Sequence, residues 1–191
     1  MLVALLSNNS GKGQTDRDSN LITGRIDHIN INKVMKRIVT EIVFYEFDSK
    51  DELGDSEAEL IDHAIAAAKR SYSPYSGFPV GSAALLDDGT VVTGCNVENS
   101  SFPGGICAEH NALSSVVALY PRSTVAAIAV VALSKEGNLT ANPVKPCGKC
   151  RQVIAEEEMR SGNRIKIIMG GSEKTVVCDG AGSLLPMAFQ A

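Results

Sequence analysis

Apolar residues recur at helical spacing in parts of this chain and crowd into short runs between them. Ile61, Ala64, Ile65 and Ala68 fall on one face of a helix. Ser56 and Glu59 form a capping box that opens it, and Ser73-Pro74 closes it. Val80 to Leu86 reads as a strand, Asp88-Gly89 as a hairpin turn, and Thr90 to Asn96 as the returning strand. After the Pro103-Gly104-Gly105 bend, a second helix begins near Cys107 and runs through Ala112, Val116 and Leu119 to Pro121. Val125 to Leu133 is continuously apolar, as suits a strand buried on both faces. A loop over Asn138 to Pro146 leads to a third helix, from Cys147 to just before Gly162. Ile165 to Met169 and Lys174 to Cys178 are short strands, and a turn carries Leu184-Leu185-Pro186.

Upstream, Lys36 to Phe47 (KRIVTEIVFYEF) has the composition of a strand. The stretch NNSGKGQTDRDSN is polar and turn-rich, so residues 1–34 read as a flexible extension. Residues 35–54 then form an N-terminal strand and linker, and 55–191 the main folded domain. The alternation of helices and strands predicts an α/β sandwich around a mixed sheet of about five strands.

Composition narrows the class. The chain has 191 residues, 44% hydrophobic and 21% charged, ordinary values for a globular protein with one sizeable core. A net charge of -4 with no basic run among aromatics argues against a nucleic-acid partner. No apolar run reaches the length of a membrane span, and MLVALLS lacks a signal peptide's basic leader and cleavage site. The expected setting is the reducing cytoplasm. Five cysteines there read as ligands plus leftovers, not as a disulfide framework.

The chemistry concentrates in two places. Cys107-Ala108-Glu109 joins a thiol to a carboxylate two residues on, and Pro146-Cys147-Gly148-Lys149-Cys150 supplies two more thiols. Three thiolates can hold Zn²⁺ in three tetrahedral positions and leave the fourth for water. Glu109 can take and return that water's protons. Cys107 and Cys147 fall at predicted helix starts, where free N–H groups and the helix dipole stabilise thiolates. Zn²⁺ with three thiolates carries a net negative charge that something must offset. Arg151 and His110 are candidates, His110 as a donor to a thiolate. Asn96 and Glu98 share one strand face and offer an amide and a carboxylate suited to sugar hydroxyls. Cys95 and Cys178 read as small buried hydrophobes, and His28 and His63 as solvated.

These motifs resemble the zinc-dependent cytidine deaminases, in particular the small three-cysteine type. The resemblance covers roughly residues 55 to 189, with four motifs in the family's order. It implies a three-layer α/β/α cytidine deaminase-like sandwich, one Zn²⁺ per subunit, and hydrolysis of cytidine and deoxycytidine to the uridines with release of ammonia. It further implies that Glu109 shuttles protons and that Asn96-x-Glu98 binds the ribose. Ser73 to Gly81 resembles the N-terminal signature, so Phe78 is expected against the pyrimidine, with Phe102 lining the site. Backbone groups of Cys107 and Ala108 are expected at the base's polar edge. Leu184 to Phe189 resembles the closing motif, whose last aromatic covers a neighbouring subunit's site in a homotetramer. One departure stands out: His110 occupies the position where three-cysteine members commonly carry arginine.

Three other readings compete. The same scaffold deaminates other aminopyrimidine nucleosides, such as blasticidin S. A lone Cys147-x-x-Cys150 is compatible with a thiol oxidoreductase, but leaves Cys107-x-Glu109 without a purpose. A structural zinc module that binds nucleic acid lacks a fourth ligand and sits poorly with an acidic chain.

Overall fold

The computed structural model describes residues 36–190. The expected extension over 1–34, with His28, lies outside the described residues. All elements below belong to the compact unit Thr40–Ala191. The strands are β1 (Tyr45–Phe47), β2 (Val80–Leu86), β3 (Val91–Cys95), β4 (Val125–Ala132), β5 (Lys166–Gly170) and β6 (Thr175–Asp179). The helices are α1 (Asp55–Ala68), α2 (Ala108–Leu119) and α3 (Gly148–Ser161). The strands form one sheet in the order β1-β6-β5-β4-β2-β3. Only β4 and β5 run parallel, and α3 lies in the connection between them. The sheet is therefore mixed, as expected, with six strands instead of about five.

Alternation along β4 builds two cores, one on each face. Ala127, Ala129 and Val131 pack with Leu60, Ile61, Ala64 and Ala68 of α1. Ile128 and Val130 point the other way, to Leu113 and Val116 of α2 and Ile154 and Ala155 of α3. The result is three layers: one helix, the sheet, then two helices. The continuous apolar run read from the sequence is thus a central strand buried on both faces.

Two expectations are corrected at the N-terminal side. Strand pairing covers Tyr45–Phe47 only, not Lys36 to Phe47. Its partners in β6 are Thr175 to Val177. Ser56 does not cap α1. Gly54 is the N-cap, without a side-chain bond, and Asp55 and Glu57 put negative charge in the first turn.

Close packing fixes where α2 sits. A Cβ on Gly94 of β3 would lie 2.4 Å from Ala112 N and 2.5 Å from Ala108 O. Only glycine lets the helix backbone approach the strand this closely. Asn111 of α2 donates from Nδ2 to the carbonyl of Cys95 at 3.0 Å, locking the same contact. The start of α2 is thereby held beside the end of β3.

Gly94→Ala is expected to destabilise the fold by roughly 3 kcal/mol, because backbone, not a flexible side chain, stands in the way. Gly89, whose Cβ would meet nothing within 4 Å, has φ of 85° and should cost only about 1 kcal/mol as alanine. Urea unfolding of the two variants measures the difference.

Candidate metal centre and active-site cavity

Helix α2 begins after Cys107 and α3 after Cys147, so both residues are N-caps with extended backbone. Cys150 lies in the first turn of α3 and is fully buried. The two helix starts bring the three Sγ atoms within 4.8 Å of one another. Cys107 Sγ and Cys147 Sγ are 3.8 Å apart. Two Zn–S bonds of about 2.3 Å at a tetrahedral angle span ~3.8 Å, so the donor set fits zinc in both chemistry and spacing.

The thiols differ electrostatically. Burial pushes Cys107 and Cys150 above the ordinary thiol value, and for Cys150 the nearby Glu109 charge adds to it. At Cys147 burial acts the same way but is outweighed by the backbone N–H groups of Cys150 and Lys149 and by bonds with the other two thiols. Its thiol is therefore held below the ordinary value, as a helix N-terminus favours.

Glu109, in the first turn of α2, is 4% exposed. Burial raises its pKa above the usual carboxylate range, against smaller opposing bonds from its own backbone N–H and the Cys150 thiol. A carboxyl so placed is suited to hold and release a proton. It lines a cavity of about 610 Å³ together with Cys107, Ala108 and Cys147 at one end and Asn96, Glu98 and Phe102 at the other.

Residues 55–162 match the family model described as the cytidine and deoxycytidylate deaminase zinc-binding region. The chain belongs to this deaminase family. A cytidine deaminase of Sporosarcina psychrophila is 43% identical over 134 residues, 69% of this chain and 89% of that one. The cytidine deaminase of Mycobacterium tuberculosis is 40% identical over 134 residues, covering 68% and 86%. Among solved structures, the Burkholderia pseudomallei cytidine deaminase superposes with a TM-score of 0.56 at 39% identity, covering 69% of this chain and 97% of that one. The family is a zinc-binding one, and the three thiols are the group among the described residues that suits such an ion.

Within this deaminase fold the other expected site residues divide. Asn96 and Glu98 both line the cavity, but most of their polar capacity is already engaged. Asn96 Oδ1 accepts from Val80 N–H at 2.8 Å and from the Ser71 hydroxyl at 2.6 Å, and its Nδ2 donates to Phe78 O at 3.1 Å. One amide hydrogen is left for a ligand. Glu98 Oε2 accepts from the N–H groups of Tyr75 and Ser76 at 2.8 and 3.2 Å, leaving Oε1.

Phe78 does not line the cavity; Tyr75 does, and its ring meets Phe102 edge-on at 6.0 Å. The backbone of Phe78 is pinned on both sides: its N–H donates to Ser76 Oγ and its C=O accepts from Asn96 Nδ2. Phe189 is 72% exposed and lies outside this chain's cavity. Its backbone N–H and C=O pair with the side-chain amide of Gln152 on α3, at 3.0 and 2.9 Å.

The two expected charge-compensating residues point elsewhere. Among the described residues, no hydrogen bond joins His110 to a sulfur. Its ring lies in a groove with Leu113, Val117 and Val153, and its Nδ1 is buried without a partner. Burial and then Lys149 hold it below the ordinary imidazole value, so it is no standing cation. Arg151 donates Nε to Pro146 O at 2.8 Å and Nη1 to Leu184 O at 2.9 Å. It braces the turn that presents Cys147 against the C-terminal segment. Cys178 is fully buried as expected, and burial raises its thiol to about 11.

Sequence reasoning missed Tyr75, Ser76, Val144 and Lys145 as lining residues. The available signal was adjacency: Tyr75 and Ser76 lie inside the Ser73–Gly81 stretch, and Lys145 precedes the Pro-Cys-x-x-Cys.

Arg151→Ala removes two charge-assisted bonds to carbonyls and is expected to cost roughly 3 kcal/mol. Hydrogen exchange should show faster protection loss at Leu184–Phe189 than at β4.

Proposed function

We propose that this chain catalyses the zinc-dependent hydrolysis of cytidine and deoxycytidine to uridine and deoxyuridine, releasing ammonia. The observation that carries the reading is the convergence of three thiols and one buried carboxyl at one end of a nucleoside-sized cavity. Relatives at about 40% identity that are named cytidine deaminases support it.

Cys107, Cys147 and Cys150 would hold the zinc. When bound, zinc supplies a Lewis acid that makes water acidic enough to react at neutral pH. Glu109 then handles the protons. Its carboxylate accepts one from the attacking water and passes it to ring N3. It takes the second as the C4–O bond becomes a carbonyl and delivers it to the departing amine. Water is consumed and ammonia leaves, with no redox change. The apolar walls beside the thiols keep bulk water from Glu109 and sustain its raised pKa.

At the far end, the free hydrogen of Asn96 Nδ2 and the free oxygen of Glu98 would bind the sugar hydroxyls. Backbone groups of Cys107 and Ala108 would meet the polar edge of the base. Phe102 would cover the ring, with the Phe78 backbone held in that wall by Ser76 and Asn96, and Phe189 would reach the site of a neighbouring subunit in a tetramer. Arg151 acts through the Cys147 turn, and His110, on α2, through packing in the groove toward α3. Residues 55–191 make up the catalytic domain in this reading, with 35–54 as a strand and linker and 1–34 as an extension. No helix among the described residues is long and apolar enough to cross a membrane. Zinc-ready free thiols suit a reducing cytoplasm.

A coupled ammonia assay with cytidine, deoxycytidine and blasticidin S, with and without a chelator, tests the reading. Turnover of the first two, abolished by the chelator, is expected. Glu109→Gln should retain one zinc per subunit by metal analysis yet lose roughly 10² to 10⁴-fold in kcat. Turnover that survives in Glu109→Gln, or a reversible Cys147–Cys150 disulfide with no zinc, would count against it.

A further inference from the structure

The short link that leaves α1, Ser71-Tyr72, runs beside Asn96-Val97-Glu98, whose two polar side chains were assigned above to the sugar. Tyr72 N–H donates to Asn96 O at 3.1 Å, and Tyr72 O accepts from Glu98 N–H at 2.8 Å. These two bonds fix the backbone of the stretch. The link is placed in turn by α1, whose last turns press directly on β2. A Cβ on Gly81 would lie 2.0 Å from Ala64 O and 2.4 Å from Ala68 N, so only glycine permits this approach.

Ser71 reaches the side chain as well as the backbone. Its hydroxyl donates to Asn96 Oδ1 at 2.6 Å. Val80 N–H donates to the same oxygen at 2.8 Å, and Asn96 Nδ2 donates to Phe78 O at 3.1 Å. Donors to an amide oxygen lie near the amide plane, along its two lone pairs. Two donors on Oδ1 and one acceptor on Nδ2 therefore fix the plane of the Asn96 amide, not only its sense. Val80 and Phe78 contribute backbone groups of one segment. Ser71 contributes a side chain from a second segment, and among the described residues it is the only side chain bonded to this amide. Ser71 is half-buried and does not line the cavity, whereas Asn96 does.

We propose that Ser71 is a positioning residue for substrate: by holding Asn96 Oδ1 it aims the remaining Nδ2 hydrogen at the oxygen of a sugar hydroxyl. Without the Ser71 bond, Val80 and Phe78 still set which end of the amide faces the cavity, but the plane can rock about that pair. A donor that must be ordered on binding contributes less affinity than one already aimed. Ser71 thereby acts on the sugar without touching it. This rests on the assignment of Asn96 to the sugar made above.

The test compares the zinc-loaded full chain with Ser71→Ala. Deoxycytidine is the substrate, and 2′,3′,5′-trideoxycytidine, which keeps the base and sugar ring but has no hydroxyl, is the competing ligand. Ser71→Ala should raise KM for deoxycytidine roughly 3- to 10-fold, the size of one neutral hydrogen bond, with kcat within about twofold. The inhibition constant of trideoxycytidine should stay unchanged. Ser71→Thr, which keeps the hydroxyl, should restore KM, and Ser71→Ala should add nothing in an Asn96→Ala background. An unchanged KM, an equal loss on both ligands, or a loss that persists in the Asn96→Ala background overturns the proposal. The ligand comparison decides by itself if Asn96→Ala does not fold. No ammonia from the unmodified chain would overturn the functional reading itself, a separate result.

Discussion

Three sulfur atoms within 4.8 Å of one another impose the constraint that organises this molecule. Like-charged thiolates repel at that distance, and burial opposes ionising two of them. The chain answers with two helix N-termini placed together, so that amide N–H groups and aligned dipoles face the cluster. A divalent cation completes the compensation, because ligand thiols give up their protons only as the metal binds. That requirement explains why Cys107 and Cys147 are N-caps and Cys150 lies in the first turn of α3.

Bringing two helix ends together is a problem of backbone distance. Gly94 solves it for α2 by removing the atom that would strike Ala108 and Ala112. Arg151 addresses it for α3 by gripping the carbonyl of Pro146, just before Cys147. Neither residue touches a sulfur. The same economy appears at the other end of the cavity, where Asn96 and Glu98 hold their own wall in place with part of their bonding capacity and face the cavity with the remainder. Side chains fixed in this way lose little freedom when a ligand arrives.

The departure at His110 changes the electrostatic picture less than the sequence suggests. Its ring is turned into the groove between α2 and α3, and its surroundings favour the neutral form. The helix N-termini at Cys107 and Cys147 set free N–H groups beside the thiols.

Much of the fold and of the metal centre was legible in the sequence, because short-range chemistry writes them. Helix and strand periods depend on neighbours a few residues apart, and Val80–Leu86 follows its apolar run to the residue. Cys147 and Cys150 are three apart at the start of one helix, so spacing alone predicts their meeting, and Cys107-x-Glu109 keeps a thiol and a carboxyl at one helix start. What tertiary structure decided depends on contacts between distant segments. The strand expected over Lys36 to Phe47 shrank to the three residues that pair with Thr175 to Val177 of β6. Tyr75 instead of Phe78 reached the cavity because Glu98, more than twenty residues on, captures the Tyr75 and Ser76 amides. Arg151 faced two carbonyls because Leu184 returns beside α3. A side chain's direction is set by whichever partner satisfies it, and that partner need not be near in sequence.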